Sequence, residues 1–407
     1  NTGVTGFINL DIDAQDGAGV VARSAGTIRI LDGNVAVEDG SAFDIEDAET
    51  TVSLTSLSST NAAFGIRLKD HSGDFVVNGI ADVTDSGGFI NGATTGVILE
   101  NAGTFGMRDV VFNENATAIS ATDADQITIW NGSINDSLIA AANLNNVRIV
   151  DFIGTNFSDN VSGVSLQAAE DDTYNWLLRS VTMDGTDIPL IARGTGDSEV
   201  TLGIDTSIFN TGASNASVFD ISSTNRMVLQ FAGNEITSTG DDVTLLDFRT
   251  TSTTELAQAT VFNNIFETSG TSVNAINVAT GGPSELLFSQ NTITFDGDRG
   301  LGMGFNIAGS ATLGLYNNVI IDAFDGATAV LFESIAGPTR VEINGNELEF
   351  ANLGGLSDRG FIFETITGDV NLIGTVNNLV SGASTPVFVP SGRTTGFFLV
   401  NGVQAPQ

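Results

Sequence analysis

One short pattern recurs between residues 200 and 380: a short apolar strand, two polar residues ending in Asn, and a second apolar strand. Its instances are Phe231-Ala-Gly-Asn234-Glu-Ile236, Val261-Phe-Asn-Asn264-Ile-Phe266, Phe288-Ser-Gln-Asn291-Thr-Ile293, Leu315-Tyr-Asn-Asn318-Val-Ile320 and Ile343-Asn-Gly-Asn346-Glu-Leu348, with a looser copy at Asn378-Leu-Val380. Successive Asn residues lie 30, 27, 27, 28 and 32 positions apart. A nearly constant period of this size is typical of a repeat protein, in which each unit contacts only its neighbours.

Each repeat also carries a third apolar strand, for example Met303–Ile307, Ala329–Glu333 or Phe361–Phe363. Clusters of Gly, Asp, Ser and Thr separate the strands. Three short strands per 27–30 residues without a helix favour a coil in which each strand pairs in parallel with its equivalent one turn later. Such connections are right-handed in nearly all cases. We therefore predict an all-β fold, a right-handed parallel β-helix solenoid with three strands per coil.

The first half of the chain is less regular, with strand-like segments about 20–29 residues apart. They are Thr27–Leu31, Val35–Val37, Thr51–Leu54, Phe75–Val77, Gly96–Leu99, Met107–Phe112, Ile127–Trp130, Val147–Val150 and Trp176–Leu178. We expect shorter coils of the same solenoid here, so that residues 1–407 form a single β-helix domain. Residues 1–26 are either an N-terminal cap or the first coil, and residues 386–407 hold two terminal strands.

The repeated Asn residues are predicted to hold the fold. A tight bend between strands needs a residue in the left-handed region, which Asn tolerates better than most residues. Amides stacked at the coil spacing of about 4.8 Å are able to hydrogen-bond one another as a ladder. The predicted structural ladder consists of Asn234, Asn264, Asn291, Asn318, Asn346 and Asn378.

Charge and composition exclude several classes of partner. The 49 acidic residues against 14 basic ones give a formal charge of -35, which disfavours nucleic acid and anionic lipid. There is no Cys, so disulfides and thiolate metal sites are absent. No apolar run approaches the roughly 18 residues of a membrane span, so we expect no membrane insertion. The chain begins at Asn1 without a leader, which we interpret as a processed mature chain or a fragment. The acidity fits solubility, a saline habitat or binding of divalent cations.

The coil length, the three-strand coil and the Asn turn resemble secreted right-handed parallel β-helix proteins of the pectin-lyase-like superfold. The resemblance is clearest over residues 200–380. That superfold includes pectate lyases, polygalacturonases, phage tailspike depolymerases and passenger domains of bacterial autotransporter adhesins. The resemblance implies an exported protein at the cell surface or outside the cell, and it leaves function open, because fold alone does not fix it.

In enzymes of that superfold the substrate groove lies along the third strand. Aligned on the inward residues Phe248, Val278, Ile307, Phe332 and Phe363, the outward column before them contains Asp247, Asn277, Asn306, Leu331 and Ile362, and the column after them contains Arg249, Ala279, Ala308, Glu333 and Glu364. Neither column is a sustained polar groove. Glu333 and Glu364 would lie about 5 Å apart on adjacent coils, where like charges raise one pKa. They are the candidates for glycoside hydrolysis, although we expect a solvated edge.

Two further features were considered as sites. The segment Arg67-Leu-Lys69-Asp70-His71 holds the only Lys and the only His, and we expect it to be a surface loop. No cofactor or metal site is predicted, although Asp171-Asp172 and Asp241-Asp242 offer carboxylates that suit Ca²⁺.

The favoured function is a non-enzymatic structural or adhesive protein of the cell exterior. A β-helix end presents unpaired strand edges, so we expect attachment to other chains of a surface assembly or to a host or matrix surface, including a homo-oligomer or a fibre. The alternative is a polysaccharide lyase or glycoside hydrolase, including a tailspike-like depolymerase, that acts on a neutral or weakly charged glycan.

Overall fold

The computed structural model describes residues 3–80, 83–323, 326–351, 358–390 and 393–405. Within these residues all regular secondary structure is β-strand. No helix long and apolar enough to cross a membrane occurs among them. The chain divides into two compact units, Asn1–Leu190 and Ile191–Gln407. Each unit is a stack of parallel coils, and the fold is a parallel β-helix of the right-handed type with about 14 turns. The predicted fold class is therefore confirmed, whereas the single domain over residues 1–407 stays a prediction.

The first unit is built from long bent strands and short ones. Its strands are β1 Val4–Ala14, β2 Val20–Val37, β3 Phe43–Leu54, β4 Ser56–Thr60, β5 Phe64–Val77, β6 Gly88–Asn91, β7 Thr95–Arg108, β8 Val110–Asn113, β9 Thr117–Trp130, β10 Ser133–Asn135, β11 Ala140–Asn145, β12 Ile149–Ile153, β13 Asn156–Ser158, β14 Ser162–Ala168, β15 Thr173–Arg179 and β16 Thr182–Asp184, followed by β17 Ile188–Gly194.

The second unit repeats a regular set of three strands per coil. Its strands are β18 Glu199–Asp205, β19 Ile208–Thr211, β20 Ser217–Ser223, β21 Met227–Ala232, β22 Glu235–Ser238, β23 Thr244–Thr250, β24 Ala257–Phe262, β25 Ile265–Thr268, β26 Asn274–Thr280, β27 Ser284–Ser289, β28 Thr292–Phe295, β29 Leu301–Ile307, β30 Ala311–Tyr316, β31 Val319–Asp322, β32 Thr328–Ile335, β33 Thr339–Asn344, β34 Glu347–Phe350, β35 Arg359–Ile366, β36 Val370–Ile373, β37 Leu379–Ser381, β38 Thr385–Phe388, β39 Thr394–Val400 and β40 Val403–Ala405.

The coils of the first unit are short. Val20 pairs with Phe43 and Phe43 pairs with Ile66, so one turn takes 23 residues there. The chain turns inside its long strands at residues with positive φ, which are Ser24, Asp47, Asp70, Asn101 and Asp123. At these residues the strand bends without being interrupted by a separate turn, because short polar side chains tolerate the left-handed region. Several predicted strands therefore lie inside longer bent ones.

The strands near the two ends of the described residues pair in different ways. Strand β1 pairs in parallel with β2, Val4 with Thr27 and Ala14 with Val37, so the described residues of 1–26 contribute a first coil. At the other end, Val387 and Phe388 lie in β38, and Phe397–Val400 falls within β39. Strand β40 then folds back and pairs antiparallel with β39, an element that the sequence pattern did not indicate.

The interior of the second unit contains a column of aromatic rings among aliphatic side chains. Phe305 and Phe332 stack with ring centroids 5.4 Å apart, and Phe332 and Phe363 stack at 4.0 Å with planes 9° apart. All three rings are buried, as is Phe248. Each such side chain contributes about 2–3 kcal/mol of hydrophobic stabilisation.

The Asn residues of the repeat form a continuous buried ladder. In Asn234, Asn264, Asn291, Asn318 and Asn346, the backbone N–H and Nδ2 both donate to Oδ1 of the next Asn, over 2.9–3.1 Å. Asn378 accepts the last pair, and all six residues are at most 3 % exposed. Each amide thus satisfies backbone groups at a turn that is closed to water.

The left-handed residue of this turn is not the ladder Asn. Positive φ, between 54° and 69°, occurs one position earlier, at Gly233, Asn263, Gln290, Asn317 and Gly345. The expectation that the ladder Asn itself takes the left-handed conformation was wrong. The ladder position needs a side chain of one length and two kinds of hydrogen-bonding atom, whereas the preceding position needs only tolerance of positive φ, which several residue types provide.

The first unit has amides of the same kind at a different turn. Oδ1 of Asn115 accepts from the backbone N–H of Ala93 at 2.9 Å, and Oδ1 of Asn160 accepts from that of Ser137 at 3.0 Å. Both Asn residues are buried. Because Ser137 occupies the coil between them, the Asn spacing is two coils and the period was not apparent in the sequence.

Candidate functional site

The two candidate catalytic carboxylates lie on adjacent coils. Strands β32 and β35 pair Phe332 with Phe363 and Ser334 with Thr365, which places Glu333 beside Glu364 as predicted. Both side chains are exposed. The carboxylate of Glu364 accepts from the Arg359 guanidinium at 3.0 Å. The Glu364 carboxylate is therefore engaged by Arg359, and catalysis by Glu333 and Glu364 stays a prediction.

The outward columns of the third strand differ from the predicted alignment in one coil. Val278 pairs with Phe305 rather than with Ile307, so Gly304 and Asn306 occupy the places assigned to Asn306 and Ala308. A slip of two residues leaves every inward side chain inward, so the apolar pattern cannot detect it.

Asp247 in the first of these columns is buried, which the sequence did not indicate. It is 1 % exposed, and its Oδ1 accepts from Asn277 Nδ2 and from Arg249 Nε, both at 2.9 Å. Burial raises the pKa of Asp247, and the hydrogen bonds from Asn277 and Arg249 oppose that rise. Through its hydrogen bond from Asn277, Asp247 links two neighbouring coils.

The segment that holds the only Lys and the only His is a strand rather than a loop. Its outward residues join a column of alternating charge across four coils, Arg23, Glu46, Lys69 and Glu100. Arg23 Nε lies 3.2 Å from Glu46, and Lys69 Nζ lies 3.8 Å and 4.0 Å from Glu46 and Glu100. The cationic residues of this segment thus cross-link neighbouring strands on the exterior, where each pair contributes little individually.

His71 faces the interior, so its predicted surface position was wrong. The ring is 4 % exposed and stacks in register between Ala48 and Ala102. Nε2 hydrogen-bonds Thr50 Oγ1, and the Thr50 hydroxyl donates to the Asp74 carbonyl at 3.2 Å. Nδ1 is buried and has no hydrogen-bond partner among the described residues. Burial lowers the pKa of His71 to about 4, so the ring is neutral at pH 7.

One carboxylate of each acidic pair considered for Ca²⁺ has a protein partner. Asp172 lies 3.6 Å from the Arg148 guanidinium. Asp241 Oδ1 accepts from the backbone N–H and hydroxyl of Thr271 at 2.8 and 2.9 Å, which lowers the pKa of Asp241. Among the described residues no group of three or more His, Cys, Asp or Glu side chains is positioned to hold a metal ion. Binding of Ca²⁺ stays a prediction.

The first unit has an open apolar edge at β1. Of the described strands, only β2 pairs with β1, which leaves the other edge of this 11-residue strand without a partner. Val4 is 71 % exposed and Ile8 is 74 % exposed. Beside them the interior of the coil opens as a depression of about 630 Å³ whose apolar lining includes Phe7, Leu10, Ile12, Val20, Ile28 and Ile30. An exposed edge of this kind is a template for pairing with another chain.

No protein-family model, curated protein or solved structure matches this chain. Membership of a particular β-helix family therefore stays a prediction that rests on coil geometry.

Proposed function

We propose that this chain is a non-enzymatic structural protein of the cell exterior that assembles through the unpaired edge of β1. The open edge is the observation that carries the proposal. It combines the backbone hydrogen-bonding groups of an 11-residue strand that point away from β2 with exposed Val4, Phe7 and Ile8. Burying both in one contact removes the apolar surface from water and pairs the backbone groups. The acidic, Cys-free composition is compatible with an extracellular location.

The partner that fits this edge is a second copy of β1. In the second unit the strands β37, β38 and β40 are three or four residues long, and the seven-residue β39 already pairs with β40 over Phe398–Val400, so each offers a shorter free edge than β1. A two-fold axis beside Asn9, where β1 bends at positive φ, would set Val4–Ile8 of one copy against Leu10–Ala14 of the other. This antiparallel pairing places Asp11 opposite Phe7 and avoids like charges directly opposite each other.

Sedimentation of the full chain over a hundredfold range of concentration tests the proposal. At 0.15 M salt the screening length is about 8 Å, so the net charge of -35 does not by itself keep the copies apart. We expect a dimer that dissociates on dilution, and we expect Ile8→Lys to remain monomeric throughout. Ile139→Lys is the matched control, because Ile139 is 63 % exposed and lies outside β1. A monomeric native chain, or an Ile8→Lys variant that dimerises like the control, would refute the proposal.

A further inference from the structure

Tyr316 lies on the outer face of the sheet that contains β21, β24, β27 and β30. Its ring lies over Gly314, two residues earlier on the same face, where no side chain is in the way. A Cβ at position 314 would overlap Tyr316 Cε2. Only glycine therefore leaves room for the ring in this position. The side chain is half-buried and lines a depression on this face.

The ring is held in place before any ligand arrives. The Tyr316 hydroxyl donates to Glu342 Oε2, and Glu342 Oε1 accepts from Arg340 Nε at 2.7 Å. Partial burial, with the Glu342 hydrogen bond, raises the pKa of Tyr316 to about 12, so the hydroxyl keeps its proton. A side chain fixed in this way loses little conformational entropy on binding.

Beside the ring lies a depression of about 450 Å³ with a mixed lining. Gln258 Nε2 donates to Glu285 Oε2 at 2.7 Å. Gln230, Thr260 and Thr312 also line it, and none of these three side chains makes a hydrogen bond within the described part of the chain. The depression therefore offers both donors and acceptors that are free to bind a ligand.

A second exposed aromatic extends the surface along the coils. Phe262, Ser289 and Tyr316 occupy one outward column on β24, β27 and β30. Phe262 is 41 % exposed, and Leu287 beside the column is 38 % exposed. Two coil spacings of about 4.8 Å put the Phe262 and Tyr316 positions about 10 Å apart. The apolar contacts thus recur along a line, which suits a linear ligand more than a compact one.

We propose that this surface binds a chain of neutral sugars, with the carbohydrate C–H faces on Tyr316 and Phe262 and the hydroxyl groups on Gln258, Glu285 and Thr260. Sugars combine apolar faces with many hydroxyls, which matches an aromatic platform ringed by amide, carboxylate and hydroxyl groups. The carboxylates of Glu285 and Glu342 disfavour an anionic glycan. This site is separate from the β1 edge, so its binding does not depend on self-association.

Native electrophoresis through gels that contain a soluble polysaccharide tests the site. The neutral probes are hydroxyethyl cellulose, galactomannan and a soluble β-1,3-glucan, and the anionic probe is polygalacturonate. We expect at least one neutral polysaccharide to retard the native chain and polygalacturonate to leave it unaffected. We expect Tyr316→Ala to weaken binding about tenfold or more, which corresponds to about 1.4 kcal/mol. Phe89→Ala is the control, because Phe89 is 44 % exposed on β6 of the first unit.

Leu287→Ala and Gln258→Ala give a second measurement that does not involve the packed ring. Both residues lie on the outward face of their strands, so these variants keep the fold, and each is expected to weaken binding several-fold. The proposal is overturned if no neutral probe retards the native chain, if polygalacturonate binds more tightly, or if all three variants bind like Phe89→Ala. The monomeric Ile8→Lys variant should bind sugar normally, which separates failure of this site from failure of self-association.

Discussion

Neighbouring Asn residues in one turn of this protein have different tasks. Asn264 is buried, and its amide joins the coils before and after it. Asn263 is exposed and takes φ of 54°. The even spacing of the buried residue made the ladder predictable from sequence. The exposed residue was not separable from it by pattern, because Gly, Asn and Gln all fill that position in neighbouring coils.

Substitutions at these two positions should separate their roles. Asn264→Ala removes the acceptor of two bonds from Asn234 and leaves buried backbone and amide groups without partners. We expect the free energy of unfolding to fall by about 3–5 kcal/mol. Asn263→Gly keeps a residue that accepts positive φ, so this variant should change the free energy of unfolding by less than about 0.5 kcal/mol. Urea denaturation followed by circular dichroism gives both values, and similar losses would contradict the assignment.

Strands that stack in register convert single residues into columns, and this explains which features could be predicted. Strict alternation identified the strands and the inward Phe residues of the second unit. The long strands β3, β5 and β7 bend at Asp47, Asp70 and Asn101. In a sequence pattern, a polar residue of this kind is interpreted as the end of a strand. For the same reason the segment around His71 looked like a loop.

The buried column of β3, β5 and β7 predicts a pH dependence. His71 replaces an alanine in this column, with Asp74 the acidic group whose charge acts on it. Its folded pKa of about 4 lies below the ordinary value of 6.5. The unfolded chain therefore binds a proton first as the pH falls, so stability is lost between pH 6.5 and 4, by about 3 kcal/mol in all.

The variant His71→Ala removes this contribution and matches the neighbouring alanines. Urea midpoints of both proteins from pH 7.5 to 4 report the difference, because pH effects common to both proteins cancel. We expect the native protein to lose stability relative to the variant as the pH falls. A difference that stays constant over this range would show that His71 titrates normally.

At the scale of the whole molecule the fold class followed from the repeat period, whereas the sites did not. Period and alternation report which side chains face inward. They do not report which outward residues share a surface, because that depends on register, as the slip at Phe305 shows. An unpaired strand edge at a coil end was expected from the sequence, although not its position at β1, whereas the Tyr316 surface depends on such placement and was not predicted.

The central claim is that two copies meet at β1 about an axis beside Asn9. Because the chain has no Cys, a single substitution gives an unambiguous cross-link. Asn9→Cys would lie opposite its own copy, within the Cα separation of about 4.4–6.8 Å that a disulfide spans. Asn401→Cys is the control, since Asn401 is also exposed with positive φ but lies in the second unit. Mild oxidation followed by non-reducing electrophoresis should convert Asn9→Cys to a disulfide dimer and leave Asn401→Cys monomeric. An Asn9→Cys chain that stays monomeric, or equal cross-linking of both variants, would contradict the account.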